Sequence, residues 1–158
     1  LAAGVLAQVS GTFSRNTYDR YRVDSTYLGA PGASLVLDGN RVAGLPGRVV
    51  NASLAWRPPA AEWLGVALGA QHLGSHVADD RNLVPVPGFT VLRAAISGER
   101  VVSRGVSARA TLAVENLADR RFIGSAFINP DYAGGVPLVY EPGLPRQVVL
   151  GLTLRRAR

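Results

Sequence analysis

The sequence has no cysteine, no methionine and no lysine among its 158 residues. Without cysteine there is no disulfide framework and no thiolate metal site. Two histidines with no cysteine offer no nucleophile–base arrangement, so the chain is read as non-enzymatic, with no catalytic residue and no cofactor. No apolar run approaches the ~18–20 residues of a membrane-spanning helix. No basic leader followed by an apolar segment is present. The missing methionine creates the expectation that the chain is a processed product or a piece of a longer protein. The absence of lysine makes all 17 basic residues arginine, against 11 acidic ones. Those arginines are scattered and not interleaved with aromatics on one face, as a nucleic-acid surface would need. Base composition of a GC-rich coding sequence accounts for the bias, and no nucleic-acid partner is expected.

What remains is apolar and periodic. Hydrophobic residues make up 47% of the chain, and 18 Gly and 10 Pro fall mainly between periodic segments, as turn-formers should. The clearest period runs from residue 106 to 115. Val106, Ala108, Ala110, Leu112 and Val114 alternate with Ser107, Arg109, Thr111, Ala113 and Glu115. A period of two puts the first set on one face of a strand and the second on the other. The same pattern recurs near residues 4–14, 48–57, 63–71, 89–99 and 146–155. Pro58-Pro59 ends the second, since proline cannot donate to a ladder. Ala30-Pro31-Gly32 reads as a turn and residues 34–37 as a short extended piece. The expected fold is all-β, an antiparallel up-and-down meander of about six long strands.

Two regularities extend this. The connections alternate long, short, long, short, long, so all the long ones fall at one end of a meander. Charges avoid the apolar faces: Arg93, Arg109, Glu115 and Arg155 have polar-face parity, while Arg15 and Arg156 share apolar parity only at strand ends. Strands of about ten residues with one apolar face, short turns at one end and long loops at the other describe a transmembrane β-barrel. An arginine at the bilayer midplane costs roughly 2–4 kcal/mol, so four misplaced charges would cost on the order of 10 kcal/mol, as much as a whole domain's net stability. Phe13 and Phe89 fall at the long-loop ends of their strands, Trp56 and Trp63 at the short-turn ends, as interfacial aromatics do. The smallest membrane barrels have about eight strands, so this sheet is expected to be part of a larger barrel.

Particular residues then resemble a family. Gly44-Leu45-Pro46-Gly47-Arg48 leads into a strand ending Ala55-Trp56-Arg57-Pro58. Asn82 follows, then Pro87-Gly88-Phe89-Thr90-Val91-Leu92. Next comes Val114-Glu115-Asn116-Leu117-Ala118-Asp119-Arg120-Arg121-Phe122, and Pro145-Arg146 opens a last strand. In this order and spacing, residues 40–158 resemble the C-terminal end of a TonB-dependent outer-membrane receptor. Phe122-Ile123-Gly124-Ser125 with Tyr140-Glu141-Pro142-Gly143 looks like the siderophore or iron-chelate branch. The resemblance implies a 22-stranded barrel with a plug domain in its lumen, of which residues 1–158 are the C-terminal segment. It implies localisation in the outer membrane of a Gram-negative cell and uptake of a ferric siderophore or other metal chelate. The implied partners are outer-membrane lipid, the plug and remaining strands, the chelate, and TonB through an N-terminal part absent here. The chain departs from the family at Leu154-Arg155-Arg156-Ala157-Arg158, where an aromatic end is usual, and at Arg93, where relatives often carry an acid.

Candidate sites follow from parity and loop placement. Arg93, Arg109 and Glu115 face the lumen or plug, or form a salt-bridge ladder on the wall. Asp79, Asp80, Asp131, Tyr132, Tyr140 and Glu141 lie in loops on the outer side, as ligand contacts or as ordinary solvated residues. His72 and His76 would lie about 13 Å apart in a strand at ~3.3 Å per residue, too far to share an ion, and no metal site is expected. Gly134-Gly135 is no phosphate loop, because no helix or lysine follows. Two alternatives stay open, a soluble β-sandwich and a small independent porin-like barrel.

Overall fold

Each run of alternation becomes a long strand in the computed structural model, which describes residues 3–24, 32–129, 132–133, 136–137 and 139–156. The strands are β1 Val5–Phe13, β2 Arg48–Trp56, β3 Leu64–Leu73, β4 Phe89–Ser103, β5 Val106–Glu115 and β6 Gln147–Arg156. They form one six-stranded antiparallel sheet in chain order, open, with β1 and β6 at its edges. A two-residue turn, Arg104-Gly105, joins β4 to β5, and Gly105 takes a φ of 71° there. Pro59–Ala61 makes a single 3-10 turn between β2 and β3. No helix among the described residues is long and apolar enough to cross a membrane.

Register keeps the two faces separate across all six strands. Opposed residues of an antiparallel pair share a face. Ala7 opposes Leu54, which opposes Leu68, then Ala94, Val114 and Val148. The next row is Val5, Trp56, Val66, Ile96, Leu112 and Leu150. A one-residue slip at any ladder would turn one strand's whole apolar set over.

Nothing among the described residues covers that apolar face. Leu68 is 51% exposed in the third strand and Leu150 80% exposed in the last. The buried apolar residues among those described are Leu37, Ala43, Val77, Ala78, Val84, Val86 and Val139, all outside the long strands. The packed core therefore sits at the long-loop end, where Ile123 and Ala126 lie against Ala78, Val84, Val86 and Val139. A β-sandwich would instead bury the inner faces of two packed sheets.

One strand differs from expectation. β4 runs on to Ser103 through a register shift between Val101 and Ser103. The extension brings Arg100 into the ladder opposite Ala108, on the apolar face. Arg48 also has apolar-face parity, opposite Phe13. Both stand near strand ends, as Arg156 does, so charge still avoids the middle of the apolar face. Arg15 lies outside any strand.

Gly88 explains why a glycine precedes β4. A Cβ there would stand 2.7 Å from the Leu73 carbonyl oxygen and 2.9 Å from the Ser75 nitrogen. Both are backbone atoms that can yield only by moving the β3–β4 junction. Gly88→Ala is expected to destabilise the folded protein by about 1–3 kcal/mol, as overpacking does. A denaturant midpoint unchanged from wild type would contradict this close approach.

Candidate functional site

Two regions carry the polar chemistry: the polar face of the sheet and the crown of loops at its long-loop end. On the polar face, Glu99 opposes Arg109 across the β4–β5 ladder, and their side chains pair at 3.1 Å. Both are substantially exposed, so the pair adds little stability; it fixes the direction in which Arg109 points. The Arg109 Nε is buried without a partner among the described residues. Arg93 follows on β4 and opposes Gly69. Its aliphatic stem lies where a Cβ of residue 69 would be, 2.8 Å from Arg93 Cγ. Gly69 thus gives Arg93 room to lie along the wall. Glu115 closes the row opposite Gln147. The three charged residues share one face and differ in height, and only Arg109 has an ion-pair partner among the described residues.

The crown joins three loops, residues 14–47, 74–88 and 116–146. Asp80 is its hub. Tyr18 donates its hydroxyl to Asp80 Oδ1 at 2.7 Å, and Asn129 Nδ2 donates to Oδ2 at 2.8 Å. The Asp80 N–H donates back to Asn129 Oδ1 at 2.9 Å, and Asn40 Nδ2 donates to the Asp80 carbonyl at 2.9 Å. Beside it, Asn82 takes a φ of 60° and pairs with the Arg41 backbone, accepting from its N–H and donating to its carbonyl, both at 2.8 Å. Asn tolerates that left-handed conformation better than most residues. Asp79 is buried, and its Oδ1 accepts from the Val84 N–H at 2.8 Å, while Oδ2 has no partner among the described residues. Backbone bonds complete the weave, from Gly44 to the Val77 carbonyl and from Asn129 to the Ala78 carbonyl.

The third loop is pinned at its base. Asn116 is buried with a φ of 49°. Its Nδ2 donates to the carbonyls of Arg120 and Leu144 at 2.9 and 3.1 Å, and its Oδ1 accepts from the Arg120 N–H at 2.9 Å. Asp119, with a φ of 50°, accepts from the Arg146 N–H at 2.9 Å. One short segment therefore ties the exit of β5 to the entry of β6. Phe122 stacks on Phe89 with ring centroids 4.3 Å apart.

Ionisation supports the crown near neutral pH. Burial pushes the Asp80 carboxyl up, but the bonds from Tyr18, Asn129 and the Ala43 N–H outweigh it and hold the group below its usual 3.8. The Tyr18 hydroxyl, donating to that carboxylate and partly desolvated, is pushed up to about 12. Burial lowers the pKa of His76, opposed by a bond with the Gly74 backbone, and nearby Arg41 lowers it further. The depressed Asp80 contributes stability above its unfolded value and loses it as pH falls through the lower folded value. The raised Tyr18 contributes fully below 10.0 and loses it as pH rises through about 12. The protection of the Ala43 and Asn129 amides, measured against the intrinsic exchange rate at each pH, is therefore expected to hold between about pH 4 and 10 and to fall outside that window. Asp80→Asn is expected to speed exchange at neutral pH.

No family model and no curated protein matches the sequence. Solved structures do match. The ferric yersiniabactin uptake receptor FyuA from Yersinia pestis superposes with a TM-score of 0.64 at 18% identity, over 98% of this chain and 21% of that one. The ferric-catecholate import receptor Fiu from E. coli K12 gives 0.60 at 17% identity, over 98% of this chain and 19% of that one. This chain has the fold of a segment of β-barrel wall. It spans about a fifth of the length of those receptors.

The barrel wall sorts the candidates expected from sequence. Arg93, Arg109 and Glu115 do share the polar face. Asp79 and Asp80 are bound into the crown's interior framework. Tyr140 is exposed and donates its hydroxyl to the Pro85 carbonyl at 2.7 Å, and Glu141 beside it is exposed opposite Ser125. Asp131, Tyr27, Pro31 and Gly134-Gly135 lie outside the described residues, and of Tyr132 only the backbone, paired with Pro137, is described. His72 sits on the apolar face, bonded to Thr90 Oγ1 at 2.9 Å, whereas His76 belongs to a short hairpin in the second loop. Among the described residues no group of three or more His, Asp or Glu is placed to hold a metal. Tyr18, Asn40 and Asn129 escaped sequence reasoning; the available signal was asparagine at turn positions, Asn129 standing directly before a proline.

Proposed function

We propose that residues 1–158 are the C-terminal segment of the β-barrel of a TonB-dependent outer-membrane receptor that takes up a ferric siderophore or another metal chelate. One observation carries the reading. An apolar face, with its charges confined to strand ends, runs in register over six strands with nothing packed on it among the described residues. Lipid is the environment that such a face requires, and in lipid the open edges β1 and β6 must meet further strands, because backbone groups have no water to bond. The likeness to two iron-chelate receptors supports the same reading.

In this reading the short turns are periplasmic and the crown is extracellular. Arg93, Arg109 and Glu115 line the lumen against a plug domain. Asp79 and Asp80 hold the crown, while exposed Tyr140 and Glu141, with Asp131 and Tyr132 nearby in the chain, contribute ligand contacts. The protein performs no catalysis, and TonB acts on its N-terminal part. The test is uptake of a panel of radioiron chelates by a Gram-negative strain lacking its own receptors and expressing the full-length protein. At least one chelate should enter, and only when TonB is present. Uptake of none, or uptake indifferent to TonB, would overturn the proposal.

A further inference from the structure

We propose that Trp63 and Arg100 form a binding site for the phosphate of an anionic phospholipid, on the apolar face at the short-turn end. The inference rests on the barrel reading above. Arg100 enters this face only because β4 continues to Ser103; it opposes Ala108, which opposes Leu154. A guanidinium in an apolar row needs an anion or a route to water. No carboxylate pairs with it among the described residues. Glu99, its neighbour, has the opposite parity and is bonded to Arg109. Glu62 borders the polar-face cleft with Arg57, Arg109 and Trp63, whose ring reaches from that border over Gly98.

The site is shaped as well as charged. The Arg100 guanidinium carbon lies 4.9 Å from the centre of the Trp63 ring. The ring rests over Gly98, where a Cβ would stand 3.6 Å from its atoms. The Trp63 carbonyl accepts from the Glu99 N–H at 2.8 Å, which fixes the residue to β4. Stacking occupies one face of the guanidinium and leaves its N–H edge free for two parallel bonds to phosphate oxygens. Trp56 shares this face two ladder rows away, and indoles settle at headgroup level. Arg156 has the same parity, opposite Val106. That second unpaired cation favours a headgroup with net negative charge over a zwitterionic one.

The test uses the full-length receptor reconstituted in vesicles of phosphatidylcholine doped with phosphatidylglycerol. Insertion is scored by heat-modifiable migration and retained lipid by native mass spectrometry. Wild type should keep phosphatidylglycerol selectively. Arg100→Gln should weaken its retention about fivefold, the worth of one arginine at an anionic surface, and Trp63→Leu should weaken it too. Arg104→Gln, in the adjacent turn, removes the same charge but no guanidinium set over Trp63, and should weaken retention clearly less than Arg100→Gln. Inserted Arg100→Gln protein holding phosphatidylglycerol like wild type would overturn the site alone; should that variant not insert, Trp63→Leu decides by the same measure. Failure of wild type to insert would overturn the site and the barrel reading together.

Discussion

Leu68→Arg is expected to remove about 2–4 kcal/mol from the stability of the full-length protein folded into lipid vesicles. Leu68 stands mid-strand in β3, between Leu54 and Ala94 of the neighbouring strands, and half of its surface is open. In lipid that position lies near the midplane, where no water reaches a guanidinium. Leu154→Arg is the matched control. Leu154 is more exposed still, at 65%, but lies at the short-turn end in the row of Arg100. Near the interface the same substitution should cost no more than about 1 kcal/mol. Denaturant unfolding from vesicles reads both. The depth dependence is the informative part, because two exposed leucines on a water-soluble protein would give two small and similar effects.

The second large effect is expected at Asn116. Asn116→Ala leaves the Arg120 N–H and the carbonyls of Arg120 and Leu144 without their partners. These bonds are only part-buried and Arg120 and Leu144 are otherwise exposed, so each lost bond costs roughly 0.5–1.5 kcal/mol. Alanine also tolerates the φ of 49° poorly, at about 1 kcal/mol. A loss of about 3 kcal/mol is expected, concentrated in the loop from 116 to 146, so that proteolysis of this loop should precede global unfolding. Asn116→Gly retains the backbone freedom and loses only the bonds, which separates the two contributions. Asn116→Asp should be worse than Gly, because its second oxygen would face two carbonyl oxygens in place of the amide donor. A loop as resistant in Asn116→Ala as in wild type would remove the pinning role.

The wall was legible in the sequence and the crown was not, for a physical reason. A strand writes its burial pattern into every second residue, and all six strands follow from such runs within a few residues. The missed part of β4 is instructive. Val101-Val102-Ser103 passes through a register shift, which interrupts the alternation, so the strand looked finished at Glu99 and Arg100 went unplaced. The crown has no period to read. Asp80 and Tyr18 are 62 positions apart, and Asp80 and Asn129 are 49 apart. Asn82 and Asn116 stood out through resemblance before any physical role was visible. Their positive φ angles and their bonds to distant backbone supply that role. Asp79 and Asp80 were legible as loop carboxylates, but only the fold shows that Asp79 is buried and that Asp80 bonds three loops together.

The central claim is that the continuous apolar face meets lipid. Nitroxide labels placed one at a time at positions 54, 68, 92, 112 and 152 of the full-length protein in outer-membrane vesicles test it most directly. Positions 8, 53, 111 and 153, of opposite parity, serve as the comparison. The account predicts high collision rates with oxygen and low rates with a water-soluble nickel chelate throughout the first set, and no such signature in the second. Water-like accessibility at most of the first set would contradict it.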